Sequence, residues 1–313
     1  MTESSKGTLY ALLAVAMFST LGTGFKVAVN RLDSYSVVVW MGLFATLALF
    51  LYLAALGQLH TVVAELRQRP LFFPLAGMIG LGVQQILCLR TYELIPASQA
   101  VILHYTYPLM MLVLARLFFH EKSGWPAVMC VLLGFAGVCL LVISGQTLGD
   151  VRLSAGVAAA LGTALSFALF CVLIKHARFS ITAGMLLFNL FGLGFLLCLL
   201  PLYPMQWAPG ASVLALLAYL GLFPTALAFI LWNRALRMIP TGRSSNCALL
   251  VPIFSLICIA LVLKERISAM QALAMAIVLG SVFLNVFLAQ RSSQALPDPR
   301  QTVSTPLNGT ESR

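Results

Sequence analysis

The feature that most constrains this chain is a succession of unbroken apolar runs. Ten stretches fit, at about 9–29, 35–56, 71–91, 98–119, 126–144, 154–175, 181–200, 212–233, 244–263 and 269–289. Each is close to the ~20 residues that a helix needs to cross the hydrocarbon of a bilayer. The runs are continuous and rich in Leu and Ala rather than alternating every second residue, so they read as helices and not as barrel strands. Of the 313 residues, 61% are hydrophobic and only 9% charged. An ordinary soluble domain has about 45–50% and about 25%. Soluble enzymes, nucleic-acid binders and disordered chains are excluded on that ground. The expected fold is an all-α integral membrane protein of ten transmembrane helices, joined by short linkers and embedded in lipid.

The net charge of +10 belongs to the ends of the spans, not to a nucleic-acid surface. With the N-terminus in the cytoplasm, thirteen Lys and Arg residues fall on the cytoplasmic side and six on the other. That bias fixes an orientation with both termini inside. The first apolar run reads as an uncleaved helix, because it is too long for a signal-peptide core. The seven cysteines all lie inside predicted spans and include no CxxC pair. They read as small apolar residues, with no disulfide or metal framework. No nucleotide-binding loop, metal-binding motif or nucleophile arrangement is present, so neither a cofactor nor an enzymatic activity is expected. Residues 290–313 are rich in Ser, Pro, Thr and Gln and read as a disordered tail.

The sequence repeats itself at an offset of 144 residues. Arg90 falls on Arg234, Ile95-Pro96 on Ile239-Pro240, Pro108 on Pro252, and Glu121-Lys122 on Glu265-Arg266. Met41 and Phe44 fall on Met185 and Phe188. Apolar matches arise by chance in any membrane protein; matched Arg, Glu and mid-helix Pro at one offset do not. The domain organisation is therefore a short N-terminal tail (1–7), a first repeat (8–143), a linker (144–153), a second repeat (154–289) and a C-terminal tail (290–313). Five spans per repeat is an odd number, so the second repeat enters the membrane inverted. Transporters commonly use that arrangement, with a substrate site near the midplane between repeats.

These motifs carry a resemblance. The run Ile95-Pro96-Ala97-Ser98 leads into a helix with Pro108, then Glu121-Lys122 and a Gly134–Gly137 segment. The second copy has Ile239-Pro240-Thr241-Gly242, Pro252, Glu265-Arg266 and Gly280. The sequence resembles the drug/metabolite transporter superfamily, specifically proteins with two EamA-type domains. The resemblance implies ten helices, both termini inside, and a central cavity lined from both repeats. It does not specify a substrate. Small four-helix multidrug exporters of related descent use a glutamate embedded in their first helix; here the predicted first span offers only Lys26. The resemblance therefore disfavours an antiporter of cationic drugs of that kind.

Polar residues inside spans are costly and are expected to face inward. Lys26 and Lys175, and Arg90 and Arg234, occupy similar places in the two repeats. They either snorkel to the membrane surface or present Lys26 and Arg90 to an anionic substrate. His104 is the only histidine within a span and could carry a proton near neutral pH. His104, Tyr107, Pro108 and Met111 share a face by spacing. His104, Tyr105 and Tyr107 read either as cavity lining or as rings packed between helices. Pro108 and Pro252 each leave a backbone carbonyl without its usual donor, at His104 and Ala248. Gln84 and Gln85 are adjacent, so at most one is expected to face a cavity squarely. Gln85, Asn246 and Trp232 complete the candidate binding residues. Glu121 and Glu265 read as structural carboxylates that favour a helix N-terminus.

The reading that follows is a secondary transporter of a small metabolite, an amino acid or related anion or zwitterion. Export, possible proton coupling and residence in a bacterial inner membrane as monomer or homodimer complete the expectation. An exchanger or uptake carrier for nucleotide-type or sugar-phosphate substrates is the alternative. A non-transporting receptor or membrane enzyme is the remote one.

Overall fold

The computed structural model describes residues 3–119, 154–175, 177–239 and 250–294, with scattered positions at 125, 129, 132–137, 140 and 247. Among the described residues the chain is helical and has no strand. The helices of the first half are α1 (Glu3–Ser19), α2 (Leu21–Val29), α3 (Ser34–Ala55), α4 (Leu59–Gln68), α5 (Phe72–Gly77), α6 (Gln84–Leu94), α7 (Ala97–His104) and α8 (Tyr107–Phe119). Those of the second half are α9 (Ala155–Lys175), α10 (Ile181–Cys198), α11 (Ala211–Leu220), α12 (Ala228–Met238), α13 (Leu250–Leu263) and α14 (Ala269–Gln294).

Seven segments are long and apolar enough to cross a bilayer: Ser5–Val29, Ser34–Ala55, Phe72–Leu94, Ala97–Phe118, Ala155–Ile174, Ile181–Cys198 and Ala211–Ala235. Leu250–Leu263 and Ala269–Leu284 are shorter apolar helices. Each overlaps one of the runs read from the sequence. The expected run at 126–144 lies mostly outside the described residues. Large apolar side chains such as Leu51, Leu117 and Leu261 point outward, as a lipid solvent requires. Two boundaries differ from expectation. The third span runs on to Leu94 and so takes in Glu93, which had read as a linker residue. The linker at 57–70 carries α4, whose Leu59, Val62 and Leu66 pack on an aromatic cluster around Phe73 and Phe188.

Several spans are broken, and the breaks have local causes. In the first, α1 and α2 meet at Thr20, whose hydroxyl donates to the Met17 carbonyl at 2.8 Å, while Ser19 donates to Val15 at 2.7 Å. Such back-bonding competes with the helical ladder and bends it. In the third span, α5 and α6 are joined by a π-helical segment, Met78–Val83. A second π-helical segment, Gly221–Leu227, joins α11 and α12. A shift of 144 residues superposes α6 on α12 end to end, and both stop at an extended isoleucine, Ile95 or Ile239. Each isoleucine precedes a proline in the sequence, which disfavours helical backbone before it. Pro224 explains the second π segment. It has no N–H for the Leu220 carbonyl, and the Thr225 hydroxyl donates there instead at 2.7 Å.

Packing between the halves is reciprocal. Helix α1 lies against α12 and α9 against α6; α3 lies against the second π segment and α10 against the first. Glycines make the close approach possible. A Cβ at Gly77 would stand 2.7 Å from the Phe188 carbonyl oxygen, and one at Gly221 would stand 2.6 Å from that of Met41. The two glycines match under the 144-residue shift, since Gly77 falls on Gly221, and so do their surroundings: Phe188 falls on Phe44, whose Cβ also stands 2.6 Å from a Cβ at Gly221. The Ser166 hydroxyl adds a 2.7 Å hydrogen bond to the Ile79 carbonyl inside the first π segment.

Candidate functional site

A central cavity of about 270 Å³ lies where the two halves meet. From the first half, α2 gives Gly22 and Phe25, and α6 gives Gln84, Gln85, Cys88 and Tyr92. His104 ends α7, and Tyr105 and Tyr107 follow it. From the second half come Phe167 on α9, Met185 and Asn189 on α10, and Pro224 and Thr225 in the π segment. Phe229 and Trp232 on α12 and Val251 and Ser255 on α13 complete the wall. No lining residue carries a formal charge at neutral pH if His104 is neutral.

On α6 the lining residues follow a helical stripe, with Leu81 just before it and then Gln84, Gln85, Cys88 and Tyr92. Gln84 and Gln85 flank this stripe at the i+3 and i+4 positions, so both amides reach the cavity. Gln84 is 6% exposed and Asn189 5%. The Asn189 amide donates to the Met185 carbonyl at 2.8 Å, which leaves its side-chain oxygen as an acceptor.

The fourth span was read as one helix in which Pro108 leaves the His104 carbonyl without its usual donor. It is instead interrupted at Tyr105 and Thr106, and α8 restarts at Tyr107. Pro108 cannot donate to the His104 carbonyl, and the Thr106 hydroxyl donates to Leu103 at 2.7 Å. The interruption turns Tyr105 into the cavity beside His104 and Tyr107, while Met111 is not among the lining residues. The His104 ring lies 5.6 Å from those of both Tyr107 and Phe167, and Tyr107 meets Phe167 edge-on at 4.8 Å. His104 Nδ1 is buried and has no hydrogen-bond partner among the described residues.

The structure does not bring Lys26 or Arg90 to this cavity. The Lys26 ammonium donates to the carbonyls of Tyr92, at 2.5 Å, and Ile95, at 3.2 Å. It lines a separate, more open pocket with Asn30, Glu93, Pro96 and Glu265. Arg90 has a side chain 58% exposed and pairs with Glu93 at 2.5 Å. Both cations are thus committed at the end of the bundle, in the manner of the snorkelling alternative. Pro252 is buried in the first turn of α13 as described. Glu265 does serve a helix N-terminus, but not that of α14, which follows it. Its Oε1 accepts from the hydroxyl of Ser98 at 2.6 Å and from the backbone N–H of Ser98 at 3.4 Å, in the first turn of α7. Asn246 and Glu121 lie outside the described residues.

Tyr92, Phe25, Phe167, Phe229, Thr225 and Ser255 escaped the sequence reading. Pro224 inside an apolar run was the available signal for the last wall, because a mid-span proline is tolerated where the backbone is buried in protein or borders a cavity. The phenylalanines had no signal; in this composition they look like every other apolar residue.

A multi-pass helical bundle with a central cavity shared by its two halves is an arrangement that membrane transporters use. A model of the EamA-like transporter family matches residues 5–143 and again 154–287. The chain belongs to the EamA-like transporter family. It is 25% identical over 260 residues to a "Probable terminal-alkyne amino-acid exporter" of Streptantibioticus cattleyicolor, covering 81% of this chain and 84% of that one. It is 24% identical over 296 residues to the "Uncharacterized transporter YetK" of Bacillus subtilis, covering 92% and 89%. A solved crystal structure matches 92% of this chain and 99% of its own, with a TM-score of 0.64 at 21% identity. That match speaks to fold alone.

Proposed function

We propose that this protein is a secondary transporter that exports a small, net-neutral metabolite, an amino acid or a related zwitterion, by alternating access. The observation that carries the reading is the cavity between the repeats, which has no Lys, Arg, Asp or Glu in its lining and is more than a third aromatic. At about 270 Å³ it is slightly below the ~300–1,000 Å³ typical of drug-sized ligands. Gln84 and Gln85 supply amide donors for a carboxylate. The faces of Tyr105, Tyr107, Phe167 and Trp232 suit an ammonium group or an apolar side chain. A sugar phosphate or nucleotide would call for cations in the wall, and Lys26 and Arg90 are engaged elsewhere. The exporter named among the relatives supports both the substrate class and the direction.

Ten spans, two inverted five-helix repeats over 8–143 and 154–289, and cytoplasmic termini in a bacterial inner membrane complete the proposal. The reciprocal contacts of the two π segments support the inversion. His104 is the group through which a proton gradient would be coupled, since its Nδ1 is free of described partners.

The test is counterflow in proteoliposomes. Purified protein is loaded with unlabelled amino acids, organic anions or nucleosides, and uptake of the labelled compound is followed with and without a pH gradient. Accelerated exchange of zwitterionic amino acids is expected. Exchange restricted to phosphorylated compounds would sink the substrate assignment. A His104→Ala variant with undiminished gradient-driven flux would remove the coupling role.

A further inference from the structure

Glu265 forms an unusual cap. Helix α14, which it precedes, is capped without it: Ser268 Oγ accepts from the Gln271 N–H at 3.1 Å, and Gln271 Oε1 accepts from the Ser268 N–H at 2.9 Å. That reciprocal pair is a complete capping box. Glu265 is therefore free to reach the other half of the molecule, where it takes both the hydroxyl and the N–H of Ser98. The backbone is bent to deliver it. Lys264 adopts φ 54°, a left-handed conformation that glycine usually supplies, and it is the only non-glycine residue among those described to do so. Ser98 is fully buried, while Glu265 is only partly buried and lines the open second pocket beside Lys26. The carboxylate can thus let go of Ser98 and enter water without being stranded in the membrane.

The contact sits over one end of the central cavity. Phe25 and Tyr92 line the cavity toward this end, with ring centroids 5.6 Å apart and near-perpendicular planes. Lys26 follows Phe25 directly and ties down the Tyr92 and Ile95 carbonyls. Helix α7 runs from Ser98 at this end to His104 on the cavity wall, about 9 Å along its axis at 1.5 Å per residue. A hand on Ser98 is therefore a hand on His104 and Tyr105.

We propose that Glu265 is a positioning residue for transport: it latches the N-terminus of α7 across the boundary between the halves, keeps this mouth of the cavity shut, and must release Ser98 for the mouth to open. The proposal rests on the transporter reading above. Release exchanges a charge-assisted hydrogen bond for hydration of the carboxylate, a modest cost that a transport cycle can supply on every turn.

The chain contains its own probe. Cys88 lines the cavity just below Tyr92 and is 7% exposed. A protein in which Cys88 is the sole cysteine is placed in sealed vesicles, and a membrane-impermeant maleimide is applied to either face in turn. Glu265→Gln and Glu265→Ala are expected to speed labelling of Cys88 about ten-fold from the face that carries residue 265. Labelling from the opposite face stays at the parental rate or falls. Ser98→Ala removes the shorter of the two bonds and gives a smaller acceleration, about three-fold. It also serves if the Glu265 variants fail to fold. Glu93→Gln is the control for mere capping: Glu93 accepts from the Ser34 N–H at 2.7 Å at the same end, but within one half. Its labelling is expected to match the parent. Monodisperse Glu265 and Ser98 variants that label at the parental rate would overturn the latch, and so would equal acceleration from both faces or in Glu93→Gln. Labelling needs no substrate, so a failed latch and a failed transport assignment are read separately.

Discussion

At the scale of residues, the backbone at Lys264 gives a direct test of strain. An L-residue in the left-handed region costs about 1–2 kcal/mol, whereas glycine adopts it freely but adds about 0.4–1 kcal/mol of unfolded-state entropy. The difference favours glycine slightly. Lys264→Gly is expected to raise the thermal midpoint in detergent by the equivalent of about 0.5–1 kcal/mol, and Lys264→Val, β-branched and worse suited to this conformation, to lower it. A fall with Gly would mean that the lysine side chain, not the backbone, holds this turn. In the cavity, the Gln84 amide makes no hydrogen bond among the described residues and is nearly buried at 6% exposure. A substrate carboxylate that it holds gains a charge-assisted bond. Gln84→Ala is expected to raise KM for counterflow about ten-fold or more, with Vmax less affected. An unchanged KM would remove Gln84 from the substrate's first contacts. Such residues were only partly legible in sequence. Amides inside apolar runs stand out because lipid is hostile to them, and Gln84, Gln85 and Asn189 all reach the cavity. Lys26 and Arg90 stood out for the same reason and proved to serve backbone carbonyls and Glu93, because a long cationic side chain near a span end can reach partners several residues away.

At the scale of elements, the helices were legible because each run of about twenty apolar residues has one solution in lipid. Their interruptions were less so. Pro224 announces the second π segment, but the first, Met78–Val83, contains no proline; it shows only Gly80 and Gly82 in a sequence with many other glycines. What distinguishes it is tertiary: a Cβ at Gly77 would meet the Phe188 backbone, and Ser166 reaches in to the Ile79 carbonyl. Gly77→Ala and Gly221→Ala should therefore be costly for a reason that no single-helix argument supplies. Each would set a methyl group 2.6–2.7 Å from a carbonyl oxygen of the opposing half, where the obstacle is backbone and cannot rotate away. Overpacking of this kind costs about 1–3 kcal/mol. Both variants are expected to lose thermal stability in detergent, whereas Gly194→Ala, with nothing within 4 Å, should not. Equal midpoints for all three would show that the halves can move apart without penalty.

At the scale of the whole molecule, the shift of 144 residues pairs the cavity walls while changing their chemistry. Leu81 pairs with Thr225, Gln85 with Phe229, Cys88 with Trp232 and Tyr107 with Val251, and every one of these residues lines the cavity. The duplication thus places matched positions around one site, and divergence has made one helix of the pair amide-rich and the other aromatic. A substrate held between them is gripped by a polar end and an apolar end, as a zwitterion with a hydrophobic side chain would be. With His104 neutral, as in exchange without a pH gradient, the lining carries no formal charge, and this has a further consequence. Moving one elementary charge across the membrane is worth about 2.3 kcal/mol per 100 mV. If the wall is neutral and the substrate net-neutral, exchange of substrate for substrate displaces no charge. Counterflow rates are then expected to stay constant when a potassium gradient with valinomycin sets the potential anywhere from zero to about 100 mV of either sign. An anionic substrate would still exchange one for one, but reorientation of the loaded carrier would move its charge and the rate would bend with potential. Voltage-dependent counterflow would therefore return Lys26 and Arg90 to consideration as groups that swing into the cavity in another state of the cycle. Voltage-independent counterflow would leave the amides and rings as the recognition surface.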